Sequence, residues 1–391
     1  MILNILNRFL GFVLVKLALL LGIFKDREIW IIGASGGKKY TNNGAALYRY
    51  ILENHPEIDI YWIINKDAPD IHKARKEGPF LYRNTVKGNF YALMADVLIC
   101  THALGDISKY AKKRHKNSFK VFISHGIEAF KIKYPKHVKE HFDYNLSLAV
   151  SEFEKNIKVE KWGLDEDKVC ITGLPRYDIL EAHKKGEREN IKRIFYMPHP
   201  VEGRPFKKDP MKLTKEEIEE FKRKHYYQAL RKFLSSPKLI ELLKVREVAL
   251  DVFFHQSVNP LMGKIMEIPG PSNISFVSNR DDIQEKILQS DMLIADHSSV
   301  AWDFLYMDRP VIFFRFYEKE FESYLRTPQD LFGPLTKNEE ETVEEVRRVL
   351  EGNDNYKEKR EESRKEFIKY HDGRNCERVV NCILEKKSKI K

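Results

Sequence analysis

The chain has 391 residues, a formal net charge of +10, and 42% hydrophobic and 12% aromatic residues. That apolar content excludes wholesale disorder, and the length is too great for one ordinary core, so two or three domains of roughly 150 residues are expected. The positive balance requires an anionic partner: nucleic acid, a membrane face or a phosphorylated substrate.

The first segment narrows that choice. Residues 1–24, MILNILNRFLGFVLVKLALLLGIF, are almost wholly apolar apart from Asn4, Asn7, Arg8 and Lys16. The stretch 9–24 would reach only about 24 Å as a helix, short of a hydrocarbon core of about 30 Å. Lys16 stands inside it, no small-residue cleavage site follows, and KDRE comes at once. The expectation is a membrane-associating helix lying in the interface, with Arg8 and Lys16 reaching the headgroups; a spanning anchor and an uncleaved signal are the alternatives. Basic clusters at 109–116 (KYAKKRHK), 131–139 (KIKYPKHVK) and the C-terminal EKKSKIK read as solvated faces, the first two alternatively as lipid contacts. No RNA-binding signature interleaves aromatics with them in a recognisable way, so nucleic acid is the weaker reading.

From residue 28 onward, strand-length apolar runs alternate with helical segments. The runs 28–33 (EIWIIG), 58–64, 96–100, 119–124, 145–150 and 168–172 read as strands, and 44–53, 85–95 and 151–162 as helices. Such alternation predicts a parallel sheet with helices on both faces. The polar stretch 181–193 reads as a linker, giving a first domain over 25–185 and a second over 186–391. Gly36–Gly37 after the first strand is a turn with a weak phosphate signal. The four cysteines, Cys100, Cys170, Cys376 and Cys382, show neither zinc nor CxxC spacing. Cys100 and Cys170 fall in apolar runs, where a reduced thiol packs as a small hydrophobe, and a reducing cytoplasm fits that usage.

In the second half, 194–197, 248–254, 274–277, 292–295 and 311–314 make the strands, Thr214 with Glu217 opens a long amphipathic helix, and 282–289 is another. The economical architecture is α/β: two doubly wound Rossmann-like domains facing a cleft, with ligands beyond the carboxyl ends of the strands. The stretch MLIADHSSVAWD (292–303) then has a physical reading. An apolar strand stops at Asp296, His297, Ser298 and Ser299, and a helix over 300–307 follows, so its free amides and the two hydroxyls form an anion site. A serine that merely caps the helix accounts for one hydroxyl. His125, after VFIS, and His255, after DVFF, also stand at strand ends, where imidazole can take a proton or hold phosphate charge near neutral pH.

The segments SHGIEAFK (124–131), SEFEKNIKVEKWGLDEDKVCITGLPRYD (151–178), DHSSVAWDFLYMDRPVIFF (296–314) and HDGRNCERVV (371–380) together resemble the CDP-glycerol glycerophosphotransferase family of teichoic acid and related polymer synthesis. The resemblance runs in order over about 29–380. It implies a GT-B type fold, membrane association at the cytoplasmic face, an acceptor-side N-terminal domain and a CDP-donor-binding C-terminal domain. It also implies transfer of glycerol phosphate, or a related alditol phosphate, from a CDP-linked donor to a lipid-linked glycan acceptor, with release of CMP.

By position, the resemblance makes His125 the base toward the acceptor hydroxyl and His255 a ligand of the donor pyrophosphate. Ser298 and Ser299 cradle donor phosphate, and Asp303 lies beside it. Where many relatives carry Tyr-Ala-Pro-Thr-x-Arg, this chain has Tyr196-Met197-Pro198-His199-Pro200-Val201, with Arg204 nearby as a substitute. His297 replaces an aromatic, and Lys131 stands six residues after His125 rather than five. These departures bear on the alditol and the acceptor more than on phosphotransfer. The rival readings are a GT-B glycosyltransferase using a sugar nucleotide and a non-catalytic membrane scaffold. Because a helix N-terminus, histidine and basic side chains can meet the phosphate charge, neither metal nor cofactor is expected, and single-unit transfer is preferred over polymerisation.

Overall fold

Parallel strands buried on both faces read as continuous apolar runs, and that is how the two sheets of this protein are built. The computed structural model describes residues 2–20, 27–108, 118–130, 132, 139–184, 191–199, 206, 209–255, 257–268, 273–317, 323–325 and 330–389. The chain divides into two units: Met1–Ile127, Lys133–Ala182 and Phe367–Lys391 form one, and Glu128–Ile132 with His183–Glu366 the other.

The first unit holds β1 (Glu28–Gly33), β2 (Ile58–Ile64), β3 (Phe80–Tyr82), β4 (Val97–Cys100), β5 (Phe119–Phe122), β6 (Leu146–Ala149) and β7 (Val169–Ile171). All pair in parallel in the order β3-β2-β1-β4-β5-β6-β7. Trp30, Ile32, Trp62, Val97, Ile99 and Val121 face one core, and Ile29, Ile31, Ile63 and Leu98 face another on the opposite side. That split is the period-two alternation of strands covered by helices on both sides.

The final helix, Asn375–Ser388, belongs to this unit and not, as the sequence reading had it, to the second domain. The Asp178 carboxylate accepts the Asn375 amide at 2.7 Å, the Asn375 side chain at 2.7 Å and the Cys376 amide at 2.8 Å, and so satisfies the open end of the helix. Val379, Val380 and Ile383 of the same helix are buried in the core. Cys382 is disulfide-bonded to Cys170, which corrects the expectation of a packed thiol at Cys170. Cys100 is buried and outside the disulfide, its thiol 3.3 Å from the Tyr144 hydroxyl.

The N-terminal helix Ile2–Leu20 also packs here. A Cβ at Gly11 would meet Asn89 Cβ at 3.1 Å and the Phe90 amide nitrogen at 3.3 Å, so the glycine permits close approach to the helix Val86–Met94. Val15 and Ala18 are buried on that side, while Phe9 is 63% and Leu17 49% exposed. The helix is therefore seated on the protein by one face rather than free along its whole girth. Among the described residues no helix is long and apolar enough to cross a membrane.

The second unit holds β8 (Arg193–Met197), β9 (Ala249–Val252), β10 (Ile274–Phe276), β11 (Met292–Ala295), β12 (Val311–Phe314) and β13 (Leu335–Thr336). They pair in parallel in the order β10-β9-β8-β11-β12-β13. The Asp291 carboxylate accepts the Lys192 and Arg193 amides at 2.8 and 2.9 Å, fixing β8 beside β11. Phe130 stacks on Trp302 with ring centroids 4.5 Å apart, which places Glu128–Ile132 in this unit. The Thr214–Glu217 capping box forms, but the helix it opens is shorter than expected. Extended backbone at Lys224 (ψ 145°) divides it into Lys215–Arg223 and His225–Leu234.

Candidate functional site

In an open parallel sheet, ligands bind beyond the carboxyl ends of the strands where the strand order reverses. In the second unit that switch lies between β8 and β11. The loop leaving β8 carries His199, the loop leaving β11 carries Asp296 to Ser299, and the loop leaving β9 carries His255.

Asp296 organises this edge. It is 2% exposed, whereas the His199 and His297 side chains are 21% and 19% exposed. Its carboxylate accepts the His199 amide at 3.2 Å and the His297 amide at 2.6 Å. It also lies 3.1 Å from His199 Nδ1 and 3.2 Å from His297 Nδ1. Burial alone would raise the Asp296 acid. The charge of and hydrogen bond from His199, followed by those of His297, outweigh burial and hold the carboxyl far below the usual carboxylate range.

The third ring completes a contiguous group. His199 has its ring centroid 5.3 Å from that of His255 and 5.4 Å from that of His297. Each imidazole is held by its Nδ1 edge: His199 by Asp296, His297 by Asp296 and the Tyr317 hydroxyl at 2.7 Å, and His255 by the Ser257 hydroxyl at 2.8 Å. The Ser257 amide donates to His255 Nδ1 at 3.3 Å, which leaves the proton of a neutral ring on Nε2. Burial, and then the Asp296 charge, push the Tyr317 phenol above its ordinary range.

The two serines divide their tasks. Ser298 is 4% exposed and its hydroxyl accepts the Val300 amide at 3.3 Å, so it fixes the turn ahead of the helix, whose N-cap position, Val300, has no side-chain cap. Ser299 is partly exposed. The following helix, Ala301–Tyr306, has only six residues, fewer aligned peptide dipoles than the expected 300–307. The hydrogen-bond donors of this edge are therefore the imidazoles more than the helix end. Asp303 is 3% exposed and sits within that helix. Arg204 and Lys131 lie outside the described residues. Among the described residues no group of His, Cys, Asp and Glu side chains is arranged to hold a metal ion.

In the first unit the switch lies between β1 and β4. The Gly36 amide in the turn after β1 donates to Asp106 Oδ1 at 2.7 Å, so a carboxylate of the protein occupies the place where an anion was weakly expected. Asp106 Oδ2 also accepts the amides of Thr101 and His102 at 3.1 and 2.9 Å, folding the loop after β4 around itself. His125 follows β5 and is exposed. Ser124 before it has φ +53°, a left-handed conformation that turns the chain sharply at the strand end. The loop is fixed by its backbone: Arg176 Nη1 donates to the His125 carbonyl at 2.9 Å, and Asn43 Nδ2 to the Ser124 carbonyl at 3.0 Å.

His102, which sequence reasoning passed over, lies parallel to His125, with ring centroids 4.8 Å apart and planes 10° apart. His102 and His199 each stand two residues beyond a strand. The rule that found His125 and His255 reaches them when applied to every strand.

Comparison with known proteins places the chain. The family model for CDP-glycerol:poly(glycerophosphate) glycerophosphotransferase matches residues 14–200 and 234–385. The minor teichoic acid biosynthesis protein GgaB of Bacillus subtilis is 25% identical over 378 residues, which is 93% of this chain and 40% of that protein. A teichoic acid poly(glycerol phosphate) polymerase of the same organism is 24% identical over 389 residues, 92% of this chain and 49% of that protein. The chain thus spans less than half the length of these two relatives. The structure of the wall teichoic acid polymerase TagF superposes with a TM-score of 0.69 at 16% identity, covering 98% of each chain. That similarity shows the fold, a GT-B pair of Rossmann-like units.

Proposed function

Since the chain belongs to the CDP-glycerol:poly(glycerophosphate) glycerophosphotransferase family, we propose that it moves a glycerol-phosphate or related alditol-phosphate unit from a CDP-linked donor to a hydroxyl of a lipid-linked acceptor. The observation that carries this reading is the cluster of imidazoles and hydroxyls at the switch point of the second unit, donors suited to phosphate oxygens.

In the reaction, the acceptor oxygen attacks the phosphorus bearing the alditol and a new P–O bond forms. The P–O bond to the bridging oxygen breaks, and that oxygen leaves on CMP. His125 takes the proton lost by the acceptor, a task suited to an exposed ring on a loop fixed by its backbone. His255 and Ser299 bind donor phosphate, Ser298 shapes the turn, and Asp303 supports it from within the helix. The test is to incubate the protein with CDP-glycerol, CDP-ribitol and lipid-linked disaccharides and weigh the products. CMP together with a phospho-alditol on the acceptor supports the reading. A nucleoside diphosphate with a glycosylated acceptor would replace it with a sugar-nucleotide transferase.

We also propose that the helix Ile2–Leu20 lies on the inner surface of the membrane through Leu6, Phe9, Leu10, Val13, Leu14 and Leu17, which remain exposed while the opposite side packs on the protein. Replacing Phe9 and Leu17 by serine removes apolar contacts worth about 1.5–3 kcal/mol each when fully buried. Binding to anionic vesicles should fall while the melting temperature holds. Unchanged vesicle binding would exclude this face.

A further inference from the structure

His199 stands where the notion of a simple serine turn leaves something unexplained. It is the middle ring of three, 5.3 Å from His255 and 5.4 Å from His297. Its Nδ1 faces a carboxylate that is 2% exposed, while its own side chain is 21% exposed. In an imidazole the two nitrogens lie on opposite edges, so holding Nδ1 against a buried group turns Nε2 toward the accessible side. A buried carboxylate on Nδ1 orients a ring and stabilises its imidazolium form. His255 differs, because an amide and a hydroxyl hold its Nδ1 and it offers an N–H without needing a charge.

We propose that His199 is a donor-phosphate ligand that binds as an imidazolium, with Asp296 positioning it, so that capture of the CDP-linked donor draws one proton from solvent. The proton goes to His199 Nε2 and is then shared with a phosphate oxygen. The inference rests on the CDP-alditol reading given above. The groups facing His199 are Asp296 and His297 from the turn after β11 and His255 after β9; behind them, Arg315 donates to the Asp296 carbonyl, the Tyr317 hydroxyl meets His297, and Tyr317, Tyr196 of β8 and Tyr226 of the helix His225–Leu234 sense the Asp296 charge. Of these, the histidines are the groups whose ordinary value, near 6.5, falls in the working range. Anion binding that needs an imidazolium weakens as pH rises, by up to about tenfold per unit for one linked proton.

The experiment is calorimetry of the full chain with CDP-glycerol, whose phosphates do not titrate in this range, and, separately, with CDP and inorganic pyrophosphate, between pH 6 and 8 in buffers of different ionisation enthalpy. Wild type should take up a proton on binding CDP-glycerol, and its affinity should fall with pH. His199→Asn keeps a side-chain donor toward Asp296 but cannot carry the charge. It should lose about 10- to 100-fold in CDP-glycerol affinity, the scale of a charge-assisted hydrogen bond, and its pH slope should flatten. Unchanged affinity and proton uptake in His199→Asn would overturn the inference while leaving the donor reading intact. Absence of proton uptake in wild type would overturn it without recourse to any variant. If wild type bound pyrophosphate with a linked proton but neither CDP nor CDP-glycerol, the donor reading would fall and the role of His199 in phosphate binding would stand.

Discussion

The two units each present histidines at the carboxyl edge of a parallel sheet, but they hold them in opposite ways. In the first unit the loop is clamped through main-chain atoms, by Arg176 on the His125 carbonyl and Asn43 on the Ser124 carbonyl, and the His125 ring stays exposed against His102. In the second unit the rings themselves are clamped, with His199 and His297 on the buried Asp296. An exposed ring on a loop fixed through its backbone is within reach of a proton donor that approaches from outside. A ring fixed by a carboxylate is suited to holding charge in one place. The difference matches the division proposed above between a base and an anion ligand.

The sharpest way to break that contrast is His125→Ala. General-base catalysis contributes about 10²–10⁴-fold, so turnover should fall by that order while donor affinity by calorimetry is unchanged. Loss of donor binding in this variant would place the ring on the other substrate. Next in size is Asp296→Asn. Removing one partner from a buried charged network costs about 3–5 kcal/mol, and denaturant melts at pH 7 should show a loss of that order. The sign with pH follows from the depressed acid: its stabilisation is fully present above the unfolded value of about 3.9 and is lost as pH falls toward the folded one. The gap between wild type and variant should therefore close below about pH 4. If it stays constant down to acid, the carboxylate is not the source.

Smaller effects sharpen the comparison within the turn. Ser299→Ala should weaken donor binding by about tenfold, one hydrogen bond to a charged oxygen, with no change in melting. Ser298→Ala should instead cost about 1 kcal/mol of stability, the usual worth of one internal hydrogen bond, because its hydroxyl already accepts the Val300 amide. Reversed results would exchange the two roles.

Much of this was legible from local pattern. The runs 28–33, 58–64, 292–295 and 311–314 form strands at those same limits, because continuous apolar segments of that length have few alternatives. β3 and β13 escaped notice, since three residues and two residues carry no periodicity to read. His125 and His255 were found by their place after a strand, and the topology gives His102 and His199 the same standing. What Asp296 does was not readable, because it depends on β8 and β11 lying side by side, a pairing of segments 97 residues apart at His199 and Asp296. Cys170 and Cys382, separated by 212 residues, were hidden for the same reason.

The return of the helix Asn375–Ser388 to the first unit has a consequence for synthesis on the ribosome. Asp178 meets its partner Asn375 across 197 residues. At about 5–20 residues per second, some 10–40 s separate the emergence of the two. During that interval the whole stretch from His183 to Glu366 emerges and can complete its own sheet, while the older half waits with an uncovered core face at Leu146, Leu148 and Val121. The half made first is therefore finished last, and a nascent chain stalled before residue 375 presents chaperones with an apolar surface in the first unit rather than in the second.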